Sequence, residues 1–435
     1  MYIGIKSWKN GDWVSFALVF LFLGLHLIIA GFPIIDWDSI RYLLISSDPY
    51  SLPLMPYLLR PFGVWGFAIF QIVILTYTLV MALKFFNKSF IIGIISICLS
   101  AAGYFAIQVM MDTYTAVGLL ALFLILNGNK DIFLYIILSV CYIAHPENLL
   151  LFPLCALMYW LIFDRRNLNF TLRPVIIAFI IPVIGSVLMN YWSEKDSRFL
   201  PKEKYIMLAT YIMADSPEIT GSYMEEYPGS EISQHRQFYE YALTKSNPYH
   251  ILMWDSWDRK EGFNWNEKIR KEAKGFLLFA LRNYKFKLLN NSIKNTFYSL
   301  IRPGEYVDTM HLTKEPIDTY LPNQLKYAKD SLQYKGKLSS LSKKLRLIYM
   351  TTYYTSILVI LFFILLSFIN PKARNPKYYP FAIFAIIIIL VNACIMANFI
   401  GIYLRLQLRV MLIPCLAISL IIADLFKRHM RCHVS

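Results

Sequence analysis

The sequence has few charged residues and lacks the short motifs that mark many soluble enzymes. Charged side chains make up 16% of the 435 residues, and hydrophobic side chains make up 57%. Ordinary soluble domains contain about 25% charged residues, so the composition argues against a soluble enzyme. The chain has no CxxC pair, no HExxH and no glycine-rich phosphate loop, which gives no support for a zinc site or a P-loop nucleotide hydrolase.

Cysteine is absent from the longest polar segment, residues 193–346, because all six cysteines lie outside it. That segment is therefore predicted to be held by packing alone, without disulfide bonds. It contains 25 basic and 19 acidic residues, so it is only weakly basic. The net charge of +15 comes largely from short loops elsewhere, and no nucleic-acid partner is predicted.

Long apolar stretches dominate the rest of the chain. A membrane-spanning helix needs about 20 mostly apolar residues. The stretches that fit are 12–31, 65–86, 90–111, 113–127, 131–144, 149–163, 174–192, 347–369, 379–400 and 408–426. The sequence therefore predicts an all-α polytopic membrane protein in a lipid bilayer, with about ten transmembrane helices and one large external insert that is mainly helical.

Three regions follow from this pattern. Residues 1–192 are predicted to form an N-terminal transmembrane region of about seven helices, with a first external loop at 32–64. Residues 193–346 are predicted to form the external, periplasmic domain. Residues 347–435 are predicted to form a C-terminal transmembrane region of about three helices.

The positions of the basic residues predict the orientation. With a cytoplasmic N-terminus, the cytoplasmic loops and tails contain fourteen lysines and arginines, whereas the short external loops contain four. Basic residues in short loops stay in the cytoplasm. Both termini are therefore predicted to be cytoplasmic.

Within the predicted external domain, residues 267–301 read as one or two amphipathic helices. Apolar side chains recur on one side at a spacing of three to four residues, with lysine and arginine opposite. Two alternatives remain open: the helix lies in the outer membrane interface, or it packs on the transmembrane core. Arg302, followed by proline and glycine, ends the helix and is included among the candidate substrate-binding residues.

Isolated ionisable residues gather in four predicted external turns. Ionisable groups close to membrane depth are costly and usually line a polar cavity or pair with one another. One polar site at the external face is therefore predicted. The residues are Asp36, Asp38, Arg41, Asp48, Asp112, His145, Glu147, Arg405 and Arg409. The alternatives are helix capping for Asp36, Asp38 and Asp112 and a purely structural role for His145.

The two arginines of the last turn suit a phosphate. Arg405 and Arg409 are four residues apart, so on a helix they share one face. Guanidinium groups bind phosphate through forked, charge-assisted hydrogen bonds. The alternative is that they reach lipid phosphates.

Carboxylates beside bound phosphate suit sugar transfer. One carboxylate takes the proton of an acceptor hydroxyl as it attacks the anomeric carbon, and arginines stabilise the departing phosphate. Asp38 is the favoured base and Asp36 and Asp112 are the other catalytic candidates. Trp37 beside them can stack on a sugar ring. His145, Glu147, Arg41 and the two arginines of the last turn are candidate substrate-binding residues.

These residues resemble the GT-C glycosyltransferases. The resemblance rests on the Asp36/Asp38 loop, on Asp112 in the next external turn, and on the run His145–Pro153, which is similar to an external basic-x-Glu stretch that ends in proline. In this run His-Pro precedes the glutamate, whereas the family usually has a basic pair before the acid. The resemblance covers the transmembrane part and no specific branch matches 193–346. It implies a polyprenyl-phosphate-sugar donor, inverting transfer and no tightly held metal.

The expected function is transfer of a sugar from a polyprenyl-phosphate-linked donor to a hydroxyl of a surface glycan or glycolipid. The richness in Ile, Lys, Asn and Tyr suits a bacterial surface-polysaccharide gene, such as one acting on the O-antigen of lipopolysaccharide in the inner membrane. No cofactor is predicted, and no motif indicates a divalent metal. The alternatives are a transporter or flippase of lipid-linked saccharides and an O-antigen polymerase or ligase.

Overall fold

The computed structural model describes the chain as a set of helices. The described residues are 8–35, 60–109, 112–145, 147–163, 202–245, 248–253, 269–301, 325–371, 374–399 and 407–434, with a few isolated positions between them. Within these ranges there is no strand, and one isolated bridge pairs Ile34 with Gln108. Four of the described helices are long and apolar enough to cross a membrane. The described part is therefore that of a helical membrane protein.

The chain divides into two compact units. The first unit consists of Met1–Ser197, Gly304–Asn392 and Tyr403–Ser435. Its helices are α1 (Asn10–Ala30), α2 (Gly63–Phe86), α3 (Phe90–Leu99), α4 (Ala102–Ile107), α5 (Asp112–Leu126), α6 (Ile132–Ala144), α7 (Asn148–Ile162), α14 (Leu325–Ala328), α15 (Lys337–Ile369), most of α16 (Tyr378–Phe399) and α17 (Leu412–Val434).

The four candidate spans differ in how much of their surface is covered by protein. In α1 and in the Leu347–Ile369 part of α15, 22% of the most apolar 18-residue stretch is buried by other parts of the protein. In α2 and in the Tyr378–Asn398 part of α16, 78% of that stretch is buried. A helix that is apolar on all sides yet exposed suits a lipid environment. Helices α2 and α16 thus form the interior of this unit, while α1 and α15 leave most of their apolar surface uncovered by protein.

The structure differs from the predicted spans in three places. The predicted stretch 90–111 is broken, because α3 ends at Leu99 and the backbone of Ser100 is extended before α4 begins. Helix α15 begins at Lys337, ahead of the predicted residue 347, and α17 begins only at Leu412. Most of the predicted stretch 174–192 lies outside the described residues. The number of about ten spans remains a prediction.

The second unit consists of Arg198–Pro303 and Ala393–Ile402. The predicted external segment, 193–346, contains the longer part and continues past it into residues that cluster with the first unit. The helices of the second unit are α8 (Lys202–Asp215), α9 (Pro217–Glu226), α10 (Glu231–Gln234), α11 (Arg236–Leu243), α12 (Pro248–Met253), α13 (Ala273–Ile301) and the last turns of α16.

An apolar core holds the second unit together. Buried side chains of α8, α9, α11 and α13 meet in it, among them Met213, Tyr223 and Phe276. Burial raises the pKa of Tyr239 to about 12, and its hydroxyl donates to the Met213 carbonyl at 2.7 Å. The predicted amphipathic helix is confirmed as α13, with a kink at Tyr284 where φ is −129° and ψ is 24°.

Candidate functional site

Two backbone segments of the first unit, each just ahead of a predicted acidic turn in the sequence, run side by side. The Ile34 N–H donates to the Ile107 carbonyl at 3.0 Å, and the Val109 N–H donates to the Ile34 carbonyl at 2.9 Å. One segment ends one residue before Asp36, and the other ends three residues before Asp112. The pairing therefore joins the starts of the first and second predicted external turns. It also fits the end of α4 at Ile107, because the extended backbone that follows finds partners in another segment.

Two buried glutamines hold these segments in place. The Gln333 side chain accepts from the Ile35 N–H at 3.0 Å and donates to the Ile35 carbonyl at 2.6 Å. The Gln71 side chain donates to the Gln108 carbonyl at 2.6 Å. Polar groups buried in an apolar interior need such partners. Sequence reasoning missed both glutamines, and for Gln71 the available signal was a lone amide within an apolar stretch.

A glycine lets the turn that carries Gln333 approach closely. Gly31 ends α1 with φ of 77°, a conformation that favours glycine. A Cβ at this position would lie 3.2 Å from the Cα of Ser331. The neighbouring Leu332 N–H donates to the Ala30 carbonyl at 2.9 Å. The end of α1 is thereby fixed against the 331–336 turn, directly before the first predicted external loop.

An acid and an arginine of the first unit are buried together. Asp112 is the first residue of α5, and Arg409 lies in the turn before α17; each is 1% exposed. Arg409 Nη1 lies 3.9 Å from Asp112 Oδ1. A buried charge inside a membrane helix bundle is expensive and usually marks a functional site.

Neighbouring side chains hold the guanidinium on its other sides. Arg409 Nη2 donates to Asn392 Oδ1 at 3.4 Å, and Arg409 Nη1 lies 3.5 Å from His145 Nε2. Asn392 in turn donates to Gln407 Oε1 at 3.0 Å. Asn392 and Gln407 are both buried. Sequence reasoning missed them because the sequence does not show which charged side chain a neutral amide contacts.

His145 and Glu147 form the remaining part of the site. The imidazole Nδ1 of His145 pairs with a carboxylate oxygen of Glu147, directly before α7 begins at Asn148. The Asn148 amide donates to the Cys141 carbonyl at 2.8 Å and accepts from the Thr115 hydroxyl at 3.1 Å. These bonds join the start of α7 to α5 and α6, so they fix the His145–Glu147 pair beside the buried arginine.

We call the group made by these side chains the buried polar cluster. Its members are Asp112, His145, Glu147, Asn392, Gln407 and Arg409. The structure thus brings together four of the residues predicted from the sequence. The other predicted site residues, which lie outside the described residues, are Asp36, Trp37, Asp38, Arg41, Asp48, Arg302 and Arg405.

The buried polar cluster combines one guanidinium with two carboxylates, an imidazole and two amides. A guanidinium offers planar, forked donors to phosphate or carboxylate, while two carboxylates and an imidazole provide groups that accept or donate protons. Among the described residues, no group of three or more His, Cys, Asp or Glu side chains is arranged to hold a metal ion.

Comparison with family models, curated proteins and solved structures gives no match. Function is therefore inferred from the residues of the buried polar cluster and from their surroundings. A fold class alone does not define an activity.

Proposed function

We propose that this chain is a membrane glycosyltransferase of the GT-C type. It moves a sugar from a polyprenyl-phosphate-linked donor to a hydroxyl of a surface glycan or glycolipid. The single observation that carries the proposal is the buried Asp112–Arg409 pair, which lies beside the His145–Glu147 pair in a largely apolar helix bundle.

Burying the charged side chain of Arg409 costs free energy. Replacing a buried ion pair by apolar side chains is often neutral or even stabilising, so stability alone gives little reason for Arg409 to be buried here. Four chain segments that are distant in sequence each contribute a polar side chain to this one cluster. Such convergence fits a site that has to bind a charged group at membrane depth.

The proposed reaction is a single displacement. The acceptor oxygen forms a bond to the anomeric carbon as the bond from that carbon to the phosphate oxygen breaks, which inverts the configuration. A first-loop carboxylate, Asp38 with Asp36 as the second candidate, takes the acceptor proton. Arg409, with Arg405 four residues before it, stabilises the negative charge on the departing phosphate.

The cluster gives the other residues their proposed roles. Asp112 and Asn392 orient the guanidinium of Arg409, because both contact its terminal nitrogens. His145 and Glu147 contribute to donor binding beside it. Trp37, Arg41 and Arg302 complete the proposed substrate-binding set on the strength of the sequence alone.

The proposed setting is the bacterial inner membrane. In this proposal about ten helices cross the bilayer, both termini are cytoplasmic, and the second unit and the reaction lie on the periplasmic side. A cysteine at Gln237, an exposed residue of α11, should then react with a membrane-impermeant maleimide in spheroplasts. Reaction only after the membrane is opened would contradict this orientation.

Donor consumption tests the activity. Membranes containing the chain would be incubated with lipid extracts that carry radiolabelled polyprenyl-linked sugars. We expect loss of label from a monophosphate-linked donor and its appearance in glycan or glycolipid. Consumption of a pyrophosphate-linked oligosaccharide instead would identify a polymerase or ligase, and movement of the donor without chemistry would identify a transporter.

A further inference from the structure

The second half of α13 carries an apolar stripe that faces away from the core of its own unit. Phe286, Leu289, Ile293 and Phe297 recur every three to four residues, so they share one face of the helix. Their exposed fractions are 76%, 57%, 61% and 63%, respectively. With a rise of 1.5 Å per residue, the stripe is about 17 Å long.

The opposite face of the same helix is already in use. The Asn291 amide donates to the Ser216 hydroxyl at 2.9 Å, and the Asn295 amide donates to Tyr211 and Asp215 at 3.1 and 3.2 Å. These bonds attach α13 to the end of α8 and the start of α9. The rotation of the helix is therefore fixed, and the stripe is held outward.

The flank of the stripe is bonded to the end of a candidate membrane span. The Asn398 amide donates to the Thr296 hydroxyl at 3.1 Å and to the Ser292 carbonyl at 3.4 Å. Asn398 is the last residue of the apolar span Tyr378–Asn398. The hydroxyl of Tyr211 also donates to the Ala397 carbonyl. The end of such a span lies where hydrocarbon gives way to headgroups, so this part of α13 is at the same level.

Lysines lie along both edges of the stripe. At 3.6 residues per turn, Lys285 falls on one edge and Lys294 on the other, and both are exposed. The Lys285 ammonium lies 5.3 Å from the centre of the Phe286 ring. Helices at a membrane surface typically have lysines whose aliphatic stems lie beside apolar side chains and whose ammonium groups reach toward the lipid headgroups.

From these four observations we propose that the second half of α13 is an in-plane membrane anchor. Its apolar stripe enters the boundary between headgroups and acyl chains, and Lys285 and Lys294 contact the phosphates of anionic lipids. The occupant of the stripe is thus a lipid surface. The inference needs only a membrane-spanning α16 and is independent of the proposed glycosyl transfer.

Photo-crosslinking from the stripe tests the anchor in the full chain. Benzoylphenylalanine would replace Phe286 or Phe297, which keeps an aromatic side chain in place. Tyr241 of α11, an exposed aromatic residue of the same unit, is the matched control position. The chain would be placed in nanodiscs of phosphatidylcholine and phosphatidylglycerol, irradiated, and analysed by mass spectrometry.

We expect lipid adducts when the photo-crosslinker is at position 286 or 297, and no lipid adducts when it is at position 241. Adducts to a second copy of the chain, or no lipid adducts at either stripe position, would overturn the proposal. Phosphatidylglycerol should be enriched among the adducts above its share of the bilayer. In the double variant Lys285→Gln and Lys294→Gln this enrichment should disappear, and an unchanged enrichment would contradict the role given to the lysines.

Discussion

The guanidinium of Arg409 lies 3.9 Å from the carboxylate of Asp112, and both side chains are almost completely buried. The two residues are far apart in the sequence, at the start of α5 and before α17. Their meeting brings the last predicted external turn to the second one.

Replacement of Arg409 by lysine should lower turnover by about 10²-fold, the usual loss when one stabilising donor is removed from a reacting oxygen. Lysine keeps the positive charge but loses the planar fork. The measurement is the rate of sugar transfer at saturating donor in reconstituted protein. Arg236→Lys, at an exposed residue of α11, is the matched control and should keep normal turnover. Equal rates in the Arg409→Lys variant and the unaltered chain would remove Arg409 from the mechanism.

Replacement of Asp112 by asparagine should weaken donor binding more than it slows the chemical step. The variant keeps the shape of the side chain, but the guanidinium loses the charge that orients it. We expect KM for the donor to rise about tenfold, which corresponds to about 1.4 kcal/mol, while kcat changes less. Asp131→Asn is the matched control because Asp131 is also buried at the start of a helix. A loss confined to kcat would show instead that Asp112 is the base.

Of the first-loop acids, Asp38 should matter most. General-base catalysis is worth typically 10²–10⁴-fold, so Asp38→Asn should lose about that much turnover and still bind donor. The Asp36→Asn variant should lose less turnover than the Asp38→Asn variant. Turnover and donor binding would be measured on the same preparations. If Asp36→Asn is inactive while Asp38→Asn works, the two roles are exchanged; if both variants work, neither residue is the base.

Gln333 should act as a positioning residue for the first loop. Gln333→Leu removes both hydrogen bonds to Ile35 and frees the segment that leads into Asp36. Misplacement of reacting groups by about 1 Å can cost 10²-fold in rate. We therefore expect a loss of about ten- to a hundredfold in kcat, with donor KM nearly unchanged. Gln237→Leu on exposed α11 is the control. If the Gln333→Leu variant were as active as the Gln237→Leu variant, the Gln333 side chain would not position the loop that contains Asp36 and Asp38.

The sequence predicts the helices well where their apolar character is continuous. Helices α1, α2, α5, α6 and α7 begin and end within about two residues of the predicted stretches, because the length of an apolar run is a local property. The extended backbone at Gln108, which ends α4, could not be predicted, since it pairs with Ile34 of a distant segment. Local patterns contain no information about that partner.

The candidate site shows the same limit. Asp112, His145, Glu147 and Arg409 stand out in the sequence because ionisable residues are rare near apolar stretches. Asn392 does not stand out, although its side chain contacts both Arg409 and Gln407. Neutral amides are recognised as part of a site only once the charge beside them is known.

The most direct test of the account is the lipid product of the reaction. Purified chain in nanodiscs would be given a polyprenyl-phosphate-linked sugar and an acceptor glycolipid, and the released lipid would be measured by mass spectrometry. The account predicts one polyprenyl monophosphate for each sugar transferred, with inverted anomeric configuration, and a release that is slower by about 10²-fold in the Arg409→Lys variant. Release of polyprenyl pyrophosphate, or transfer that Arg409→Lys leaves unchanged, would contradict it.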